Sequence, residues 1–123
     1  MTWFRVDDGF YSHPKTLASS LAASGLWVRA GAWVGQHLND GLVPNDALRT
    51  ISPATPTTTT RLAHELVRTG LWIDVPGIGY EFHDWHALNP TREQVLADRE
   101  RARKRQDEWR RRRREEREQS QDA

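Results

Sequence analysis

A row of four threonines, Thr57, Thr58, Thr59 and Thr60, runs into Arg61, His64 and Arg68. Hydroxyls donate to phosphate or base acceptors, and a threonine methyl packs on a thymine methyl, so the group suits duplex DNA. The bland alternative is a row that only caps and solvates the start of a helix. A second group lies downstream: Arg101, Arg103, Lys104 and Arg105, then Arg110, Arg111, Arg112, Arg113 and Arg114 in succession. Such a segment neutralises phosphates without reading sequence. Trp109 beside it offers a ring to an exposed base or to a partner protein. The ordinary alternative is a solvated charge run.

Other chemistry finds little footing. His83, Asp84 and His86 are close in sequence, but neighbours on a strand point to opposite faces, so no metal site is expected. His37 falls on the apolar side of a helical pattern and reads as half-buried. Asp7 and Asp8 are adjacent carboxylates best explained by a turn or cap. No nucleophile elbow, phosphate loop or dinucleotide fingerprint occurs. The expectation is a binding protein, not an enzyme, with no cofactor.

The chain has 123 residues, which suits one domain with a core but hardly two. It lacks cysteine and has no apolar run long enough to span a bilayer, so a cytoplasmic, nucleoid-associated setting without a membrane partner is expected. The formal net charge of +1 conceals an asymmetry. Residues 1–90 carry six basic and eight acidic side chains, net −2, whereas residues 91–123 carry twelve and nine, net +3. Within the latter, residues 99–114 are net +7.

These groups need elements to position them. The opening residues mix aromatic and polar types and read as an extended arm, with Ser12 starting a helical turn over Pro14, Lys15 and Thr16. Leu26, Trp27, Ala30, Trp33, Val34, His37 and Leu38 recur with helical period and predict a helix over 22–39, capped by Gly41. A brief extended piece, "LVP", leads to a short helix over 44–51. Pro53 breaks it, and Thr55 followed by Pro56 marks a helix over 56–69 that Gly70 ends. The threonine row therefore lies in the first turns of that helix and is not a linker. Residues 71–85 alternate around "PGIG" as a hairpin. From Asn89 and Pro90, another cap and first-turn proline, one charged helix is expected, with pairs Glu100–Lys104, Asp107–Arg111 and Glu108–Arg112. This order predicts an α+β winged helix-turn-helix domain over 1–88 and an arginine-rich helix or arm over 89–123.

The stretches "TWFRVDDGFYSHPK", "GLWVRAGAWVGQHLNDGLVP", "ELVRTGLW", "FHDW" and "NPTREQV" resemble small winged-helix proteins of actinobacterial phages and prophages. That group is similar to the N-terminal domain of phage replisome organisers and DnaD-type replication initiation proteins. The resemblance covers about residues 2–97 and implies a DNA-binding role in replication initiation or transcriptional control. It implies DNA contact by the threonine row, Arg61, His64 and Arg68. Where DnaD-type proteins carry a C-terminal helical domain, the charged tail is expected instead. The rival expectation is a module that binds host replication or transcription proteins, with Trp72, Trp85 or Trp109 as anchors. Oligomeric state stays open: Val95, Ala102 and Trp109 recur every seven residues, but Asp98, Arg105 and Arg112 interrupt the seam.

Overall fold

The computed structural model describes residues 2–122, which divide between Thr91 and Arg92 into two compact units. The first begins as an arm without regular structure, then a 3-10 turn over Phe10–Ser12. Asp7 starts that turn, its carboxylate accepting the Gly9 N–H at 2.7 Å. Helix α1 (Pro14–Leu17) is capped by His13, whose Nδ1 accepts the Lys15 N–H, and not by Ser12.

Helix α2 (Leu21–His37) starts where Ser20 Oγ accepts the Ala23 N–H. It stops two residues earlier than its periodicity suggests. Leu38 takes the left-handed conformation at φ 51°, and its N–H bonds back to Gly35 O. Gly41, expected as the cap, serves the next turn instead. Asp40 and Gly41 both have positive φ, and a Cβ on Gly41 would press on Trp85 Cβ at 2.8 Å.

Strand β1 (Leu42–Pro44), helix α3 (Asn45–Ile51) and helix α4 (Pro56–Thr69) follow, then β2 (Trp72–Val75) and β3 (Gly79–Phe82). The three strands form one antiparallel sheet in the order β1-β3-β2, with Val43 opposite Tyr80 and Trp72 opposite Phe82. Gly79 makes the close approach of β3 to β1 possible, since a Cβ there would collide with the Val43 carbonyl oxygen. The core lies where α2, α3 and α4 meet this sheet, around Val34, Val43, Leu66 and Trp72.

The hairpin is shorter than the expected 71–85. His83 and Asp84 form a turn, and Trp85 opens a short helix, α5 (Trp85–Leu88), with its ring buried. Asn89 does not cap the tail helix as its Asn-Pro context suggested. It is buried, its Nδ2 donates to Trp85 O, and its Oδ1 accepts the Arg5 N–H at 3.0 Å. That bond holds the N-terminal arm across the unit, where Phe4 stacks on Trp85 and packs against Trp27 and Phe82.

The second unit is one continuous helix, α6 (Arg92–Asp122). At ~1.5 Å per residue its 31 residues reach about 46 Å. No helix among the described residues is long and apolar enough to cross a membrane.

Candidate nucleic-acid interface

Helices α3 and α4 are joined by a tight turn. Ser52 ends α3, its N–H donating to Leu48 O, and its hydroxyl accepts the Ala54 N–H at 3.2 Å. Thr55 caps α4: its Oγ1 accepts the Thr58 N–H and donates to Thr58 Oγ1. Pro56 brings no N–H of its own, and the Thr59 N–H bonds to Thr55 O. In the first turn of this helix the Thr57 N–H has no partner among the described residues, which leaves it open to an anion.

The four threonines divide by helical period. Thr57 and Thr60 are exposed, and Thr58 is half-buried in the cap. Thr59 is only 5% exposed, and its hydroxyl lies 2.7 Å from Ser52 Oγ. Thr59, expected as a DNA contact, therefore faces the core beside Leu62, Ala63 and Leu66, and its hydroxyl ties the turn to α4. Arg61, His64 and Arg68 are exposed. With Thr57 they follow at spacings of four, three and four residues along one outward stripe, with Thr60 beside it.

Glu65, on the flank of this stripe, turns toward α2. Its carboxylate accepts the Ser20 hydroxyl and the Ser20 N–H, both at 2.7 Å, which lowers its pKa against a smaller effect of burial. Arg68 and Arg61 lower it further. Sequence reasoning missed this role because Ser20 is 45 residues away. Next to the turn, a cleft of about 430 Å³ is lined by Asn45, Arg49, Thr60 and Tyr80 among others. Burial raises the Tyr80 pKa, with Asp74 adding to it. The hairpin tip carries no cation, and Ile78 O accepts the Asn45 N–H at 2.9 Å, which fixes the tip to the start of α3.

In the second unit Arg101, Arg103, Lys104, Arg105 and Arg110 to Arg114 are all exposed. Of the expected ion pairs, Lys104 acts on Glu100 through its charge, and the close contacts are made by others. Arg103 pairs with Glu100 and Asp107, Arg101 with Asp98, and Arg111 reaches Glu115 at 4.0 Å. The Arg103 hydrogen bond holds the Glu100 carboxyl below its ordinary value. Arg113 lies over the Trp109 ring at 5.1 Å, so that ring face is already occupied. Arg105, Arg110, Arg112 and Arg114 have no ion-pair partner among the described residues.

The remaining expectations are placed as follows. His83 Nδ1 and Asp84 Oδ1 meet at 2.8 Å, because they sit in a turn and not on a strand. Among the described residues no three ligand-bearing side chains gather closely enough to hold a metal ion. His37 is exposed, not half-buried; it stacks on Trp33 at 4.1 Å, with Nδ1 2.9 Å from Trp33 O. Trp72 and Trp85 are 1% and 6% exposed and cannot anchor a partner, whereas Trp3 is 74% exposed. A second cavity, about 300 Å³, lies under the N-terminal arm, walled by Phe4, Phe10, Trp27, Phe82 and Trp85. Its rim carries both signs of charge, including Lys15 and Asp84.

No family model, curated protein or solved structure matches this chain.

Proposed function

We propose that the protein is a small winged-helix protein that binds duplex DNA with α4 in the major groove. The observation that carries this reading is the outward stripe of Thr57, Arg61, His64 and Arg68, with Thr60 beside it, on the second helix of a tightly turned pair. In helix-turn-helix proteins that helix presents its N-terminal residues to base edges. The sheet order supports the reading, because the β2–β3 hairpin follows α4 as a wing does. The hairpin tip supplies only backbone groups, so the arginines of α6 provide most of the phosphate neutralisation. The resemblance of residues 2–97 to small winged-helix proteins of actinobacterial phages, a group similar to phage replisome organisers, supports a role in replication initiation or transcriptional control.

A second reading follows from the charge of the globular part. With six basic against eight acidic side chains, residues 1–90 are weakly suited to a polyanion and better suited to a protein of the replication or transcription machinery.

Binding of the full chain to mixed-sequence duplex and to fragments of its own genomic neighbourhood, across a salt series, separates the two. Arg61 and Arg68 together with Arg105, Arg110, Arg112 and Arg114 of α6, counted as six phosphate contacts, give a fall of log K with log salt at a slope of about −5. Changing Arg110, Arg112 and Arg114 to glutamine flattens that slope by about 3 and weakens all sequences alike. Changing Thr57, Thr60 and Arg61 to alanine removes the preference for one fragment. Absence of binding at low salt favours the protein-partner reading.

A further inference from the structure

Helix α2 is apolar on both sides. Inward it places Leu26, Ala30 and Val34 in the core. Outward it exposes Leu21 (92%), Ala22, Gly25, Val28 (46%) and Ala32, and Arg29 is the only Lys, Arg, Asp or Glu in the helix. A helix that is apolar all round is ordinarily buried all round, and contiguous exposed apolar surface marks an interaction site. Gly25 adds an independent observation. A Cβ at this position would meet nothing within 4 Å, and its backbone is helical. Packing within the chain therefore gives no reason for a glycine, although glycine inside a helix is destabilising relative to alanine. What it permits is the close approach of another helix.

We propose that the protein forms a dimer with a second copy of itself through an antiparallel α2–α2 seam. Leu21, Gly25, Val28 and Ala32 follow at spacings of four, three and four, the repeat of a helix–helix seam. A two-fold axis level with the midpoint between Leu26 and Trp27 sets Leu21 against the partner's Ala32. The same axis sets Val28 against the partner's Gly25. Large meets small at every level, and the surface is complementary to itself, as an isologous interface requires. A parallel pairing would oppose Leu21 to its own copy and leave a gap at the glycine level. The antiparallel arrangement also opposes the two helix dipoles favourably.

The size of the seam sets the strength of the dimer. Helix α2 is about 25 Å long at ~1.5 Å per residue, so even with Leu17 at its end it stays below the roughly 800 Å² per partner of a standard interface. The dimer is reversible and fills at high concentration. The two copies of Arg29 lie on one flank, about 7.5 Å apart along the axis. Salt screens their repulsion and leaves the apolar contact, so dimerisation holds or strengthens with salt, opposite to phosphate binding. The seam goes beyond the DNA reading and is measured without DNA, so either stands if the other fails.

The test is sedimentation of the full chain from roughly 10 µM to 1 mM, without DNA. The mass is expected to rise toward twice that of the monomer, and Val28→Glu to stay monomeric with an unchanged thermal transition. The chain has no cysteine, so single cysteines report the geometry. Across the axis, Val28→Cys lies about 4.5 Å from its own copy along the helices, but Leu21→Cys about 16 Å. A short bismaleimide should link Val28→Cys at least about tenfold faster than Leu21→Cys. A monomeric mass at the highest concentration, or equal linking at the two positions, overturns the proposal.

Discussion

Replacing Glu65 by glutamine should weaken the fold while making the α4 face more positive. The carboxylate accepts the Ser20 hydroxyl and N–H at 2.7 Å, and Ser20 Oγ in turn accepts the Ala23 N–H at 3.1 Å as the cap of α2. Glutamine keeps one acceptor but loses the charge. That weakens two charge-assisted bonds and removes an anion from a helix N-terminus. At this solvent-facing edge the loss comes to about 1 kcal/mol. Glu65→Ala, which removes the acceptors as well, costs about 2 kcal/mol. For a unit of this size 1 kcal/mol lowers Tm by about 4–8 °C. The Glu65 pKa is lowered in the folded state, so the unfolded chain binds more protons between the two values and stability rises with pH there. The contribution is complete above the unfolded value, about 4.3, and disappears as pH falls through the folded one. Urea titrations followed by tryptophan fluorescence from pH 7 to pH 3 should show the gap between wild type and Glu65→Gln closing in acid. A gap absent at pH 7, or equally large at pH 3, would refute the reasoning.

Other expectations rest on single contacts. The buried hydroxyl of Thr16 has no hydrogen-bond partner among the described residues. Thr16→Val should therefore stabilise the protein by about 1 kcal/mol in the same titration. A Cβ on Gly31 would collide with the Phe4 ring, so Gly31→Ala should displace the arm and cost about 2 kcal/mol, with a shift in tryptophan emission. Thr59→Val breaks the bond to Ser52 and should cost about 1 kcal/mol, and a cycle with Ser52→Ala, which also loses the acceptor of the Ala54 N–H, should show the two positions coupled and not additive.

The bounds of α4 were legible because its signals are local: Thr55 and Pro56 at one end and Gly70, at φ 90°, at the other. The hairpin likewise follows from alternation around Gly77. What sequence could not supply were contacts made across the chain. Asn89 resembles a helix cap next to Pro90, but Arg5, 84 residues away, claims its side chain. Leu38 ends α2 in a left-handed conformation usual for glycine, so periodicity overran it. Thr59 shares a helical face with Leu62 and Leu66, so its burial was readable from spacing; the hydroxyl that Ser52 satisfies made it look like a surface residue. The stripe formed by Thr57, Arg61, His64 and Arg68 was legible because one helix fixes it. The pairings on α6 were not, since an exposed arginine has several carboxylates within reach at similar energy.

The most direct measurement is titration of a duplex into isotope-labelled protein at low salt, with backbone amide shifts read residue by residue. Contact by α4 predicts that Thr57, Thr60, Arg61, His64 and Arg68 shift together with residues 99–114. Shifts confined to residues 99–114, with α4 unmoved, would contradict a winged helix reading the major groove and leave the arginine helix as the only binder.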